Sequence, residues 1–203
     1  GSSLWQAVQF PLPAMRFKDG RTDRQGRFWV SSMVRDMAAA SSAGALYRAD
    51  AQGLAPSGID GLHTGNGLGF SPAGRVMYLS DSHPTVQQVW AFDLGDDGVP
   101  RHRRSFIDMQ QHPGRPDGAA MDADGNYWCA MYEGGRVLQL SPTGAVLREI
   151  ATPFACPTMV CLGGPELRTL FVTSARHGRP AQELERTPLA GQVLALQEPV
   201  AVA

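Results

Sequence analysis

The sequence predicts an all-β protein, a β-propeller with about four blades in this chain. Three observations carry that expectation. Its 23 glycines and 15 prolines are scattered along the chain, where they punctuate short apolar or alternating runs, as strands joined by tight turns require. No segment keeps an apolar stripe at helical spacing over three turns. The chain also repeats itself at roughly 40 to 50 residues, the length of one propeller blade.

The repeats justify the elements in order. The first is DGRTDRQGRFWVSS from Asp19, the second NGLGFSPAGRVMYLSDS from Asn66, the third DGAAMDADGNYWCAMY from Asp117 and the fourth PTMVCLGGPELRTLFVTSAR from Pro157. Each reads as strand, turn, strand. A third strand follows in each: GALYRAD from Gly44, QQVWAFDL from Gln87, GGRVLQLSPTG from Gly134 and GQVLALQ from Gly191. Gln25-Gly26, Ala73-Gly74 and Asp124-Gly125 supply the positive φ of a tight hairpin. Phe28, Trp29, Tyr78, Tyr127 and Trp128 follow these turns and are expected to pack between blades. Between the second and third strands of the first repeat, VRDMAAASSAG (residues 34–44) reads as a loop despite its alanines. The Arg-rich run RHRR (residues 101–104) reads as a solvated edge between blades, and Glu133-Gly134-Gly135 and Gly163-Gly164 as hairpin turns. The repeats form one domain, 1–203. A four-bladed ring is small, so either the ring is an unusual one or part of a larger ring lies outside this sequence.

Composition removes several function classes. Net charge is −1, with no basic block and no acidic tail, which argues against nucleic acid or an anionic membrane as partner. No apolar run approaches the length of a membrane span. The start, GSSLWQAVQF, lacks a basic stretch followed by an apolar one, so no signal peptide is expected, and Gly1-Ser2-Ser3 are set aside as an appended scar. Cys129, Cys156 and Cys161 make an odd count without a CxxC pair. They are expected to be free, buried thiols in a reducing, cytoplasmic setting. An incomplete ring would expose strand edges, so an oligomer formed through blade edges is open.

The chemistry-bearing residues fall at the starts of the repeats. In a propeller the innermost strands line a central channel, and the alignment puts Asp19, Asn66 and Asp117 at nearly the same point of three blades. Oxygen side chains converging on one axis suit a hard divalent cation; Asn-Gly and Asp-Gly are also plain turn dipeptides. The five histidines show no metal-ligand spacing. His63 and His177 stand near the expected mouth but read as loop or surface residues. No GxSxG elbow or P-loop occurs.

Four motifs in order carry a family resemblance over residues 16–196. RFKDGRTDRQGRFWVSSM resembles the R-x-N-D-G-x-x-D-x-x-G-R-F-W-x-G-T-M signature of the senescence marker protein, gluconolactonase and regucalcin family. GNGLGFSPAGRVMYLSDS, RPDGAAMDADGNYWCAMY and FVTSARHG with PLAGQVLAL are similar to three later segments of it. The resemblance implies a six-bladed propeller, of which the first blade and part of the second have no counterpart here. It implies hydrolysis of a sugar lactone, with a regucalcin-like, non-catalytic calcium- or ligand-binding protein as the alternative. It implies one divalent cation, calcium first with zinc or manganese as alternatives, held by Asn66 and Asp117 together with a glutamate from the part without counterpart. Asp117 would be the general base, and Arg16, Lys18 and Asp19 would bind substrate. Lys18, the only lysine in the chain, departs from the family's asparagine. Three readings stay open for it: it binds an acidic substrate, it occupies the cation's space, or it swings into solvent.

Overall fold

The computed structural model describes residues 6–197; the Gly1-Ser2-Ser3 scar lies outside the described residues. Among the described residues the chain forms four antiparallel sheets, each with its strands in sequence order. The first is Met15–Thr22 (β1), Phe28–Val34 (β2), Gly44–Asp50 (β3) and Gly53–Leu62 (β4). The second is Gly65–Phe70 (β5), Val76–Asp81 (β6), Gln88–Leu94 (β7) and Pro100–Asp108 (β8). The third is Arg115–Met121 (β9), Tyr127–Tyr132 (β10), Arg136–Leu140 (β11) and Val146–Ala151 (β12). The last has Pro157–Gly163 (β13), Thr169–Ser174 (β14) and Val193–Gln197 (β15) among the described residues, with a short helix Ala181–Arg186 (α1) between the last two. The innermost strands pack in series, β1 on β5, β5 on β9 and β9 on β13. These are propeller blades, as the repeats predict.

The turns form for the reasons the sequence suggested. Gly26, Gly74 and Gly125 have φ of 83°, 67° and 80°. Two turns are further fixed by a buried carboxylate. Asp23 accepts from the backbone N–H of Gln25 and Arg27 and from the Trp29 indole at 2.8 Å. Asp122 repeats this with the N–H of Asn126 and the Trp128 indole at 2.9 Å. The shared Asp-x-x-Gly-x-x-Trp spacing thus closes a turn and anchors a core aromatic with one side chain.

The apolar core lies between blades. Trp29, Leu46, Leu68, Phe70 and Leu79 join the first two, Tyr78, Met109, Tyr127 and Met131 the next two, and Trp128, Val160, Leu170 and Val172 the last two. Successive residues of a strand point to opposite faces, so Tyr127 and Trp128 fill two different interfaces. Phe28 was expected to do likewise beside Trp29 but is 43% exposed, because it stands at the turn end of β2, beyond the buried Val30, Ser32 and Val34 of the same face.

Two further expectations need correction. RHRR is a solvated edge, as expected, but it does not lie between blades: it is part of β8, the outer strand of the second blade, where Arg103 stacks on Trp90 and Arg104 and His102 bond Asp93. The outer strands escaped notice because their residues are mostly exposed or half-buried and lack the regular apolar alternation that marks a strand with one buried face. Cys129 and Cys156 are free and buried, but Cys161 is exposed. The loop at residues 34–44 holds, with one 3₁₀ turn at Met37–Ala39.

Candidate active site

Each innermost strand carries an irregularity at one level. On β1, Phe17 pairs with Ser32 and Gly20 with Val30, so Lys18 and Asp19 face one residue of β2. Gly67 and Leu68 do the same on β5, and Asp117 and Gly118 on β9. Such bulges re-aim side chains. They also set the register between blades: Lys18, not Asp19, is the counterpart of Asp117, and Asn66 comes one position earlier. Asp19, Asn66 and Asp117, expected at nearly the same point, thus lie within one residue of the Asp117 level, Asp19 after it and Asn66 before it; sequence spacing does not show where a bulge lies.

The structure brings three of the expected residues together. Lys18 Nζ lies 3.4 Å from Asn66 Oδ1 and 3.7 Å from Asp117 Oδ1. The Asn66 amide is oriented by donating to Ser82 Oγ at 2.9 Å. Gly67 has to be glycine here: its φ is 57°, and a Cβ would collide with the Tyr127 hydroxyl, which donates to Gly67 O at 2.7 Å. Lys18, Asn66 and Asp117 open into a pocket of about 160 Å³ shared with Met37, Thr64, Ser82, Arg115 and Tyr132.

Two expected residues do not reach this pocket. Arg16 is exposed and donates to the carbonyl of Phe17. Asp19 is not among the pocket residues and accepts from Leu68 N at 3.1 Å. His63 and His177 are not among the pocket residues either. Sequence reasoning missed Arg115, two residues before Asp117. Its guanidinium pairs with Glu133 at 2.9 Å and lies over the Tyr132 ring, while its buried Nε–H has no partner. Thr64 Oγ1, also in the wall, is buried without a partner. Unsatisfied polar atoms in a concave wall suit a polar ligand. The sequence signal available was the Arg beside the Pro-Asp-Gly motif.

Burial raises the proton affinity of Asp117 and outweighs the nearby Lys18 charge. The Asp19 carboxylate adds to the rise, Asn66 and Arg115 oppose it, and its pKa stands at about 6. Asp19 is also raised, by burial, against its bond to Leu68 and the charges of Lys18 and Arg21. A carboxylate that titrates near neutrality and faces a cavity can take and return a proton at physiological pH.

The implied divalent cation can be tested against these atoms. Asn66 and Asp117 offer two hard oxygen donors, but the Lys18 ammonium lies against both. Among the described residues no three His, Cys, Asp or Glu side chains gather as a metal-holding group. As placed, the side chains do not fit a divalent cation.

Residues 2–176 match the family model described as the SMP-30/Gluconolactonase/LRE-like region. The chain belongs to this family. It is 44% identical over 183 residues to a 6-deoxy-6-sulfogluconolactonase of Pseudomonas putida, covering 89% of this chain and 61% of that protein. It is 35% identical to a regucalcin of Danio rerio, over 88% of this chain and 61% of the relative. The fold matches the crystal structure of a calcium-binding regucalcin from Agrobacterium tumefaciens with a TM-score of 0.87 at 27% identity, over 95% of this chain and 64% of that one. The chain thus spans about 61% of the length of the two curated relatives. Among the described residues no helix is long and apolar enough to cross a membrane.

Proposed function

We propose that this chain carries the active site of a sugar-lactone hydrolase whose substrate bears an anionic group. The observation that carries the reading is Asp117, a carboxylate with its pKa raised to about 6, facing a pocket beside the donor Lys18 in a chain of the gluconolactonase family. Asp117 takes a proton from water as that water attacks the lactone carbonyl carbon. The oxyanion that forms is stabilised by the adjacent positive charge. The ring C–O bond then breaks, and the departing alkoxide takes the proton from Asp117, giving the open hydroxy acid.

The anionic group is argued from Arg115. Its unpartnered Nε–H and the positive charge beside it offer a carboxylate or sulfonate a charge-assisted bond. The name of the Pseudomonas putida relative, with its sulfo group, is in keeping with this. The cation the resemblance implies, calcium or else zinc or manganese, would take Asn66 and Asp117 as ligands and supply a Lewis acid for the carbonyl. With Lys18 extended between those oxygens, no step here is routed through it.

The test is hydrolysis of aldonolactones with and without a C6 carboxylate or sulfonate by the purified chain. Turnover faster on the anionic substrates, and reduced at least about a hundredfold in Asp117→Asn, supports the proposal; no turnover on any aldonolactone sinks it. A second reading, a propeller that binds a ligand without turnover, is favoured by the likeness to regucalcins. Calorimetric binding of an aldonolactone that is never hydrolysed would select it.

A further inference from the structure

We propose that the Lys18 ammonium is this site's own cation: it stands in the place of a divalent metal between Asn66 and Asp117, and the site works without one. The proposal rests on the lactonase reading only for what the charge does during turnover, not for which cation is bound.

Three observations carry it. The first is placement. The bulge on β1 puts Lys18 at the same level as Asp117 on β9, so the backbone directs it to the axis. Its ammonium reaches both oxygens a metal would use, at 3.4 and 3.7 Å. The second is exclusion. A calcium ion sits about 2.3–2.6 Å from each oxygen ligand. A metal bound to Asn66 Oδ1 would therefore lie no more than about 6 Å from the ammonium. A double and a single positive charge that close, inside a pocket that screens poorly, repel strongly. One of the two has to leave. The third is charge balance. Asp117 is the one carboxylate among the pocket residues, facing both Lys18 and Arg115, with Arg115 held by Glu133 outside the lining. A single ammonium matches the charge of Asp117, the one carboxylate that these residues bring to the pocket.

The residue type fits the role. Arginine, used at every other non-histidine basic position, has a planar fork suited to two parallel bonds with one carboxylate. The compact lysine head serves as a point charge between an amide oxygen and a carboxylate on separate strands. In the proposed reaction Lys18 donates a hydrogen bond to the lactone carbonyl oxygen, keeping its proton, while Asp117 handles the proton from water.

Binding of calcium, zinc and manganese is measured by calorimetry on the wild type, Lys18→Asn and Lys18→Gln. In parallel, the protein is labelled with ¹³Cε-lysine; with one lysine in the chain, the spectrum holds one side-chain resonance. The expected result is no saturable metal binding by the wild type and an unmoved resonance. One or both variants should gain at least about tenfold in affinity through loss of the repulsion, with the gain removed by adding Asp117→Asn. Stoichiometric metal binding by the wild type that depends on Asp117 overturns the proposal. So does the absence of binding by both folded variants, which would mean that Lys18 displaces nothing. Lactone hydrolysis undiminished by a chelator supports it, and hydrolysis abolished by chelator and restored by metal overturns it. A wild type that binds no metal, gains it in a variant and hydrolyses no lactone refutes the lactonase reading and leaves this one standing.

Discussion

Asp117 shows how burial sets chemistry at a single side chain. Removed from water, its carboxyl holds a proton up to about pH 6, even with Lys18 alongside. As the proposed base it works only when ionised. The rate should therefore fall about tenfold per pH unit below 6 and flatten above it; a kcat/KM profile checks this, and a limb near the ordinary carboxylate value of 3.8 would remove Asp117 from the role. The motif residues Asn66 and Asp117 were legible in the sequence because Asn-Gly and Pro-Asp-Gly each stand at a repeat start. The position of Lys18 was not, since nothing in RFKDG says whether Lys18 or Asp19 faces the channel. The bulge at that point decides it, turning Lys18 to the pocket and Asp19 to Leu68 N.

Turns and bulges do the positioning one level up. Asp122 accepts from Asn126 N, Asn126 Nδ2, Trp128 Nε1 and Gln139 Nε2, all buried. Asp122→Ala strands those donors and should cost roughly 2–4 kcal/mol, read as a shift of the urea midpoint at unchanged slope. Asp23 holds the same place in the first blade. There burial opposes ionisation, but the bonds from Trp29 and Arg27 outweigh it and keep the carboxyl below its ordinary range. These hairpins could be read directly, because Asp, Gly and Trp at fixed offsets act locally. The outer strands β4, β8 and β12 could not: their strand character comes from pairing with β3, β7 and β11, and their own residues carry little apolar alternation.

Contacts across the axis hold the blades in their relative places. Arg21, on β1, donates to Ala119 O of β9 at 2.5 Å and touches Met159 of β13 at 3.8 Å. Replacing it with Met keeps the volume and removes the charge-assisted bond, so Arg21→Met should cost about 1–3 kcal/mol. Hydrogen exchange should speed up first in β9 and β13. An unchanged melting temperature with unchanged exchange there would show that Arg21 contributes nothing to blade packing.

By itself the sequence determined the β class, the repeat, the hairpins and the family, because each is written in residue types at short, fixed spacings. It also named Asn66 and Asp117 as candidate site residues, and both line the pocket. The tertiary structure decided what faces them. It left Arg16 and Asp19 out of the pocket, brought in Arg115 and set Lys18 between the two oxygens. That depends on the bulge register of three strands and on how their blades meet at the axis. Local spacing does not encode the meeting of distant strands, so the place of Lys18 beside Asn66 and Asp117 became legible only in the fold.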